Sequence, residues 1–523
     1  MTEGSDKRDL LGRRQALILT AATAVGGAIA SSATAATKGK TPAPAAKAMA
    51  PTKTERAFQE LMHVYGRARP EFVHIREGAP TLPTRFAADE AVTAVFAASG
   101  VVAADIWTLR TGQGQRLDID MREAGASLTA FRFMKFDDPK LQAERDAWRK
   151  AAQAPNRSLL GFYRTQDRRH VLLHPSFAPA QIGKALGCAP ERDAVTAACL
   201  SKTADEIENA VSAERGCGVK VRTPEEWDAS EQGRIIAALG PVEVIKIADG
   251  PPTPLPPGVA PLSGVRVLDL TRVLAGPTCG RDLAGWGADV LYVSSPELPN
   301  TDTIYAETST GKMATFLDLE KGGDRDKLRD LLRTADVFSQ GYRTGAFDKF
   351  GFSVHELAAL RPGIIYTSIN CYGHEGPWRQ RAGWEQLAQA ATGVAHVQGK
   401  PGEPELISGA FHDYATGHLA ALGVLIALQR RAHYGGSYLV RASLCQTATW
   451  LRGLGLEGPE RLKRITPMTE AEAEPLIVHS PSAFGGVGGM THLRSPVRLS
   501  LTSALWRRPA MPLGGGPAEW PKT

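Results

Sequence analysis

The sequence predicts an α/β fold: a Rossmann-like parallel-sheet domain joined to a smaller α+β domain and a helical partial repeat. Three observations predict it. From residue 264 onward, short apolar runs alternate with helical segments, the pattern of strands buried between helices. Between 156 and 250, two strand-like runs and two helical segments read as a compact mixed unit. Residues 97–128 match residues 420–451 without a gap, each stretch reading as amphipathic helix, glycine turn, alternating strand and the start of another helix.

A chain of 523 residues that is 43% hydrophobic and 22% charged has globular composition and the length for two or three domains. The charge of +6 is spread along the chain rather than gathered into a stripe, which argues against nucleic acid as a partner. The six cysteines stand far apart with no C-x-x-C pair, so they read as free thiols, with no metal site and no disulfide framework.

In chain order, residues 1–50 read as a signal and linker. Gly12-Arg13-Arg14-Gln15 precedes a soft apolar run, Ala16–Ala30, and Ala33-Thr34-Ala35 offers a small-residue cleavage site, the layout of a twin-arginine export signal. The blander alternative is an Ala-rich leader. The apolar run is too short to span a bilayer, so no stable membrane span is expected. Residues 51–155 hold the first copy of the repeat. In 156–250, the run 159–165 and His170–His174 read as strands, with helices over 203–213 and 224–238. The Pro-rich stretch 251–262 is a semi-rigid spacer, because proline fixes φ and lacks an amide donor. Residues 263–480 form the α/β domain, with strands at Val265–Leu270, Ala288–Val293, Asp336–Gln340 and Ile364–Ile369, and 481–523 is a tail packing on the fold. Ligands in such sheets sit at the carboxyl ends of the strands, which puts Thr271–Pro277, Ser294–Thr303, Gln340–Gly345 and Asn370–Gly376 around one crevice. The loop Ala275-Gly276-Pro277-Thr278-Cys279-Gly280 lacks G-x-G-x-x-G spacing, which argues against a nicotinamide cofactor.

Three stretches carry a family resemblance: GVRVLDLTRVLAGPTCGRDLAGWGADVLYV from Gly264, AGWEQLAQAATG ending at Gly393, and AFHDYATGHLAALGVLIALQRRAHYGGSYLVRASLCQ ending at Gln446. Together they resemble the family III CoA-transferases, the CaiB/BaiF group that includes formyl-CoA and carnitine CoA-transferases and acyl-CoA racemases. The resemblance implies coenzyme A, as an acyl-CoA substrate, and a carboxylic acid as the small-molecule partners, with no metal. It implies a homodimer, or a monomer whose repeated units mimic one. It also implies cytoplasmic chemistry, which conflicts with the export-like N-terminus and leaves localisation open.

Residue by residue, the resemblance places Glu385, in Gly383-Trp384-Glu385, at the position of the family's nucleophilic aspartate. A carboxylate there takes the acyl group from the thioester as an anhydride, and the CoA thiolate then opens it. Val273, Leu274 and Ala275 match the loop against adenine and pantetheine. Lys312 and Arg343 match phosphate-binding positions, Tyr342 a lid on the adenine, and Lys349 a further basic position. Tyr372 and Gly373 belong to a turn whose amides would hold a thioester oxyanion. Asp413 matches a D-x-x-[ST]-G motif, and capping of a 414–431 helix explains it equally. His374 falls at a variable position and reads as surface. Tyr292 and Ser294 stand where the family commonly has Lys and Glu. The alternatives are an acyl-CoA racemase, whose branch carries His-Asp where this chain has Trp384-Glu385, and a catalytically weak CoA-binding homologue.

Overall fold

The alternation from residue 264 builds one large sheet. A computed structural model describes residues 50–153, 159–299, 302–482, 484 and 488–521. The export-signal reading falls on residues 1–49, outside the described residues. Seven strands form the large sheet: β1 (Glu243–Ala248), β2 (Arg266–Leu270), β3 (Asp289–Ser294), β4 (Lys312–Phe316), β5 (Val337–Gln340), β6 (Ile365–Asn370) and β7 (Ser437–Ser443). Their order is β4-β3-β2-β5-β6-β7-β1. The strands β2 to β7 run parallel, and β1 closes the edge antiparallel to β7. Leaving β1 aside, the chain winds outward from β2 to β4, returns beside β2 at β5, and winds the other way to β7. This is the doubly wound dinucleotide-fold order, with its switch point between β2 and β5.

The predicted strands stand within a residue of those observed. Residues 243–248, assigned with the small α+β unit but not read as a strand, form β1 on the large sheet. Its residues alternate weakly, and pairing with β7 decides where they go. The small unit keeps a three-stranded antiparallel sheet of Gly161–Arg164, His170–His174 and Cys217–Lys220. The predicted helix over 224–238 breaks into Pro224–Ala229 and Glu231–Ala237, because Ser230 is extended and its hydroxyl accepts the Gly233 amide. The tail is woven into two further sheets: Val497–Leu499 pairs with Leu117–Asp120, and Gly489–Leu493 pairs with Ile477–Pro481 and Lys135–Phe136.

Five helices position the site: α1 (Ala88–Thr111), α2 (Ala275–Gly285), α3 (Glu385–Ala391), α4 (Phe411–Tyr434) and α5 (Leu444–Gly453). The long helices α1 and α4 are buried over most of their length and pack against each other, so both are apolar nearly all round. By length and composition α1 would suffice to cross a membrane, but its residues are mostly buried in the fold. Helix α4 also packs on α2, where a Cβ on Gly417 would come within 2.4 Å of the Ala275 carbonyl oxygen, so only glycine permits that approach. Helix α3 packs on the strands His170–His174 and Cys217–Lys220, which ties the small sheet to the end of the large one.

Candidate functional site

At the switch point the loops after β2 and β5 part, leaving a crevice at the carboxyl ends of the strands. Arg272–Gly276 after β2 and Gly341–Arg343 after β5 line an inner chamber of about 240 Å³, together with Asn370 and Cys371 after β6 and the segment 381–384. Ser176, Phe177 and Cys217 of the small sheet, with Asp413 of α4, complete its walls. A wider chamber of about 940 Å³ shares Tyr342 and Arg343 with the inner one and extends over the ends of β3 and β4. The small unit therefore supplies part of the wall.

The three residues expected after β2 are all in the inner chamber. Val273 has φ of 66°, a left-handed conformation that a β-branched side chain adopts at a cost of about 1–3 kcal/mol, and such strain gathers at functional sites. Tyr342 stands at the junction of the chambers with its ring edge-on to Phe347 at 5.4 Å, and burial pushes its hydroxyl up to about 12. Arg343 shares that junction, half-buried. Desolvation and the nearby charge of Arg215 pull its guanidinium below its ordinary range. Among the described residues neither guanidinium group has a hydrogen-bond or ion-pair partner, so two unneutralised cations line the wide chamber, Arg343 at its join with the inner one.

Lys312 is a correction. Its ammonium is fully buried, 2.8 Å from Asp269 Oδ2 and 2.6 Å from the Pro277 carbonyl oxygen, beneath α2. With its donors aimed inward, it ties β4 to β2 and does not reach a phosphate. Lys349 reaches the wide chamber but pairs with Glu320 at 2.8 Å. Carboxylates of Glu297, Asp318, Glu320 and Asp348 line that chamber too, which confines its uncompensated positive charge to the Arg215–Arg343 end.

Gly383 brings the chemical group into place. A Cβ there would lie 2.4 Å from Cys371 Sγ, so glycine alone lets 383–385 press against the end of β6. Trp384 then spans to the small sheet: its ring stacks on His174 at 4.8 Å and its Nε1 donates to Ser176 Oγ at 3.1 Å. Burial lowers His174 to about 4. The carboxylate of Glu385, only 2% exposed, turns to the start of α4. Its Oε1 accepts from Gln389 Nε2 at 3.0 Å and the His412 amide at 3.2 Å, with His412 Nδ1 at 3.3 Å, while Oε2 accepts the Asp413 amide at 3.2 Å. Glu385 thus caps α4, a role expected of Asp413. The helix starts at Phe411, three residues before the expected 414, which puts Asp413 inside its first turn rather than at its cap. The Asp413 side chain instead lines the inner chamber.

The turn at Tyr372 and Gly373 is a second correction, since neither residue lines a chamber. The Gly373 amide donates to Asn370 Oδ1 at 2.8 Å, and Gln232 Nε2 binds the Tyr372 and Glu375 carbonyls at 2.9 and 3.0 Å. Tyr372 is buried edge-on to Trp378. His374, read as surface, is also buried, with Nε2 2.8 Å from Ser368 Oγ, and desolvation lowers it to about 3. Sequence reasoning missed Arg215, Arg272, Ser176, Phe177 and Cys217. All five lie more than 110 residues before Glu385 and Asp413, and no motif marks them; Arg215, with φ of 59°, betrays itself only in the backbone.

The fold and crevice define an α/β protein with an open crevice at the switch point of a doubly wound sheet. The chain belongs to CoA-transferase family III, whose profile matches residues 49–246 and 262–457. It is 34% identical over 352 residues to acetyl-coenzyme A transferase nodX of Hypoxylon pulicicidum, covering 61% of this chain and 59% of that protein. It is 33% identical over 214 residues to formyl-CoA:oxalate CoA-transferase of Rhodopseudomonas palustris strain BisA53, covering 38% of this chain and 50% of that one. Among solved structures it is similar to a CAIB/BAIF family protein from Brucella suis, with 32% identity, TM-score 0.35 and coverage of 36% of this chain and 55% of that one. The chain thus spans between half and three-fifths of the length of these curated relatives.

Proposed function

We propose that the protein moves CoA between an acyl-CoA and a free carboxylic acid, with Glu385 as the acyl-accepting carboxylate. The observation that carries this reading is the two-chamber crevice at the switch point, which runs from Arg215 and Arg343 to Asp413, with the buried Glu385 carboxylate directly behind that wall on the Asp413 amide. Two neighbouring guanidinium groups without a counter-ion among the described residues suit the phosphates of a CoA, and the narrow inner chamber suits its pantetheine arm.

In the reaction, a Glu385 oxygen bonds to the thioester carbonyl carbon and the C–S bond breaks, giving a mixed anhydride and CoA thiolate. The thiolate attacks the Glu385 carbonyl, releasing the first acid and leaving a glutamyl–CoA thioester. The acceptor carboxylate repeats the exchange in reverse order and leaves as the new acyl-CoA. To attack, Glu385 must leave its four donors on α3 and α4, so its helix-capping contacts are part of the activation barrier. A racemase needs a second proton carrier opposite this carboxylate. Trp384 stands where that branch has His, and among the described residues no histidine lines the inner chamber.

The test is a panel of acyl-CoAs, starting with acetyl-CoA, with hydroxylamine trapping and peptide mass spectrometry. The expected result is a hydroxamate on Glu385, and a fall on the order of 10³-fold or more in exchange for Glu385→Gln. Equal rates in the variant would remove the mechanism. Solvent deuterium at the α-carbon would point to a racemase, and binding with neither signal to a CoA-binding homologue.

A further inference from the structure

We infer that Asp413 is a second catalytic group: a neutral carboxylic acid that donates its hydrogen bond to the acyl carbonyl oxygen while Glu385 carries the negative charge. The inference rests on the transferase reading above and assigns a role that reading leaves empty. In the turn at 372–373 the Gly373 amide is bound to Asn370, the Tyr372 carbonyl accepts from Gln232, and neither residue lines a chamber, so the turn presents no oxyanion donor there. Three other polar side chains on the inner walls are engaged as well. Asn370 Nδ2 binds the Gly373 carbonyl at 3.1 Å, Arg381 pairs with Glu208 at 3.1 Å, and Arg272 donates to the Pro299 carbonyl and stacks over Phe177 at 4.8 Å.

Asp413 is placed differently. It lines the chamber, and among the described residues its carboxyl has no hydrogen-bond partner, while its own amide is bound to Glu385. Two carboxyls therefore share one helix start, where four donors satisfy Glu385 and none satisfies Asp413. A pair so arranged keeps one charge and one proton, and the proton belongs on the member without donors. The groups facing Asp413 agree. Glu385 and His412 lie on its own side, the thiols of Cys217 and Cys371 on the wall, and the guanidinium groups of Arg272, Arg343 and Arg381 around the chamber are engaged elsewhere or stand at its mouth. Desolvation, then the charge of Glu385, holds the Asp413 carboxyl well above the ordinary carboxylate range.

The step balances without another reactant. As Glu385 bonds to the carbonyl carbon, negative charge develops on the carbonyl oxygen and the Asp413 proton is shared with it. When the carbonyl re-forms and the C–S bond breaks, the proton returns to Asp413 and the electron pair leaves on sulfur. A neutral Asp413 also admits the anionic acceptor acid, which a second negative charge in the chamber would repel.

The experiment measures exchange between acetyl-CoA, or the fastest-trapped acyl-CoA of the panel, and its free acid across pH, in the full chain. Asp413→Asn keeps shape and a neutral donor. It is expected to stay within about tenfold of wild type and to lose the alkaline fall in rate that ionisation of Asp413 imposes. Asp413→Ala is expected to fall by about 10²–10³ while trapping still marks Glu385. An Asn variant as slow as the Ala variant, with a hydroxamate on Asp413 in the wild type, would make Asp413 the nucleophile and overturn the inference. So would an Ala variant at full rate. A folded Asp413→Asn, checked by thermal unfolding, separates these outcomes from misfolding. A wild type that neither traps nor exchanges removes the transferase reading and this assignment together, whereas trapping on Glu385 with an unaffected Asp413→Ala removes this assignment alone.

Discussion

Helices α1 and α4 are each 24 residues long, and both lead into a strand and then a further helix, yet the acids of their first turns meet different partners. In α1, Asp89 is fully buried and accepts the amide and hydroxyl of Thr81 at 2.8 and 2.6 Å, while Glu90 takes both terminal nitrogens of the buried Arg461 at 2.5 and 2.9 Å. In α4 the second and third positions are His412 and Asp413. No cation arrives, and the anion over the helix start comes from Glu385 on α3. A helix start is satisfied by one well-placed anion. Where a second acid is added with a cation, as at α1, it is locked into the fold. Where it is added without one, as at α4, it is left to hold a proton and face the crevice.

The largest expected effect breaks the α1 side. Arg461→Met leaves Asp89 and Glu90 without their cation and should cost about 3–5 kcal/mol in chemical denaturation, with turnover per folded molecule unchanged. A loss below about 1 kcal/mol would mean that the pair is not what holds α1. Glu385→Ala, on the α4 side, strips two helix amides, His412 and Gln389 of their acceptor and should cost about 1–3 kcal/mol as well as activity. Thr81→Val removes one hydroxyl from Asp89 and is expected to cost about 1 kcal/mol with no change in rate.

The smallest effect sharpens the contrast. Asp413→Asn should change stability near pH 4 by under about 0.5 kcal/mol. Its signature is in the pH dependence. The folded carboxyl is held above its unfolded value of about 3.9, so across that interval the folded state keeps a proton that the unfolded state has lost, and wild-type stability falls as pH rises. The Asn variant lacks that downward contribution, and parallel Tm curves for the two proteins would contradict the α4 half of the comparison.

Much of the scaffold was legible beforehand. Apolar runs of five or six residues between helical segments announced β2, β3, β5 and β6, because a strand buried on both faces tolerates little else. The place of 273–275 beside a crevice was legible for the same reason, since the end of a β2-type strand in this topology lies at the switch point. Lys312 was misplaced because a lysine opening a strand looks the same whether its ammonium points to water or to Asp269. The edge strand β1 was missed because its partner β7 lies some 190 residues away.

Local patterning therefore decides which segments become strands and helices, since period and capping act over a few residues. It also decides that a carboxylate stands at 385 between Trp384 and a short helix. Which way that carboxylate turns, which of two acids keeps a proton, and whether a cation is free or spent are set by groups brought together from distant stretches: Glu385 by the amides of 412 and 413, Asp413 by Glu385, Lys312 by Asp269. Electrostatic energy depends on distances and desolvation that exist only once the chain has packed, so the charge state of the site belongs to the tertiary structure.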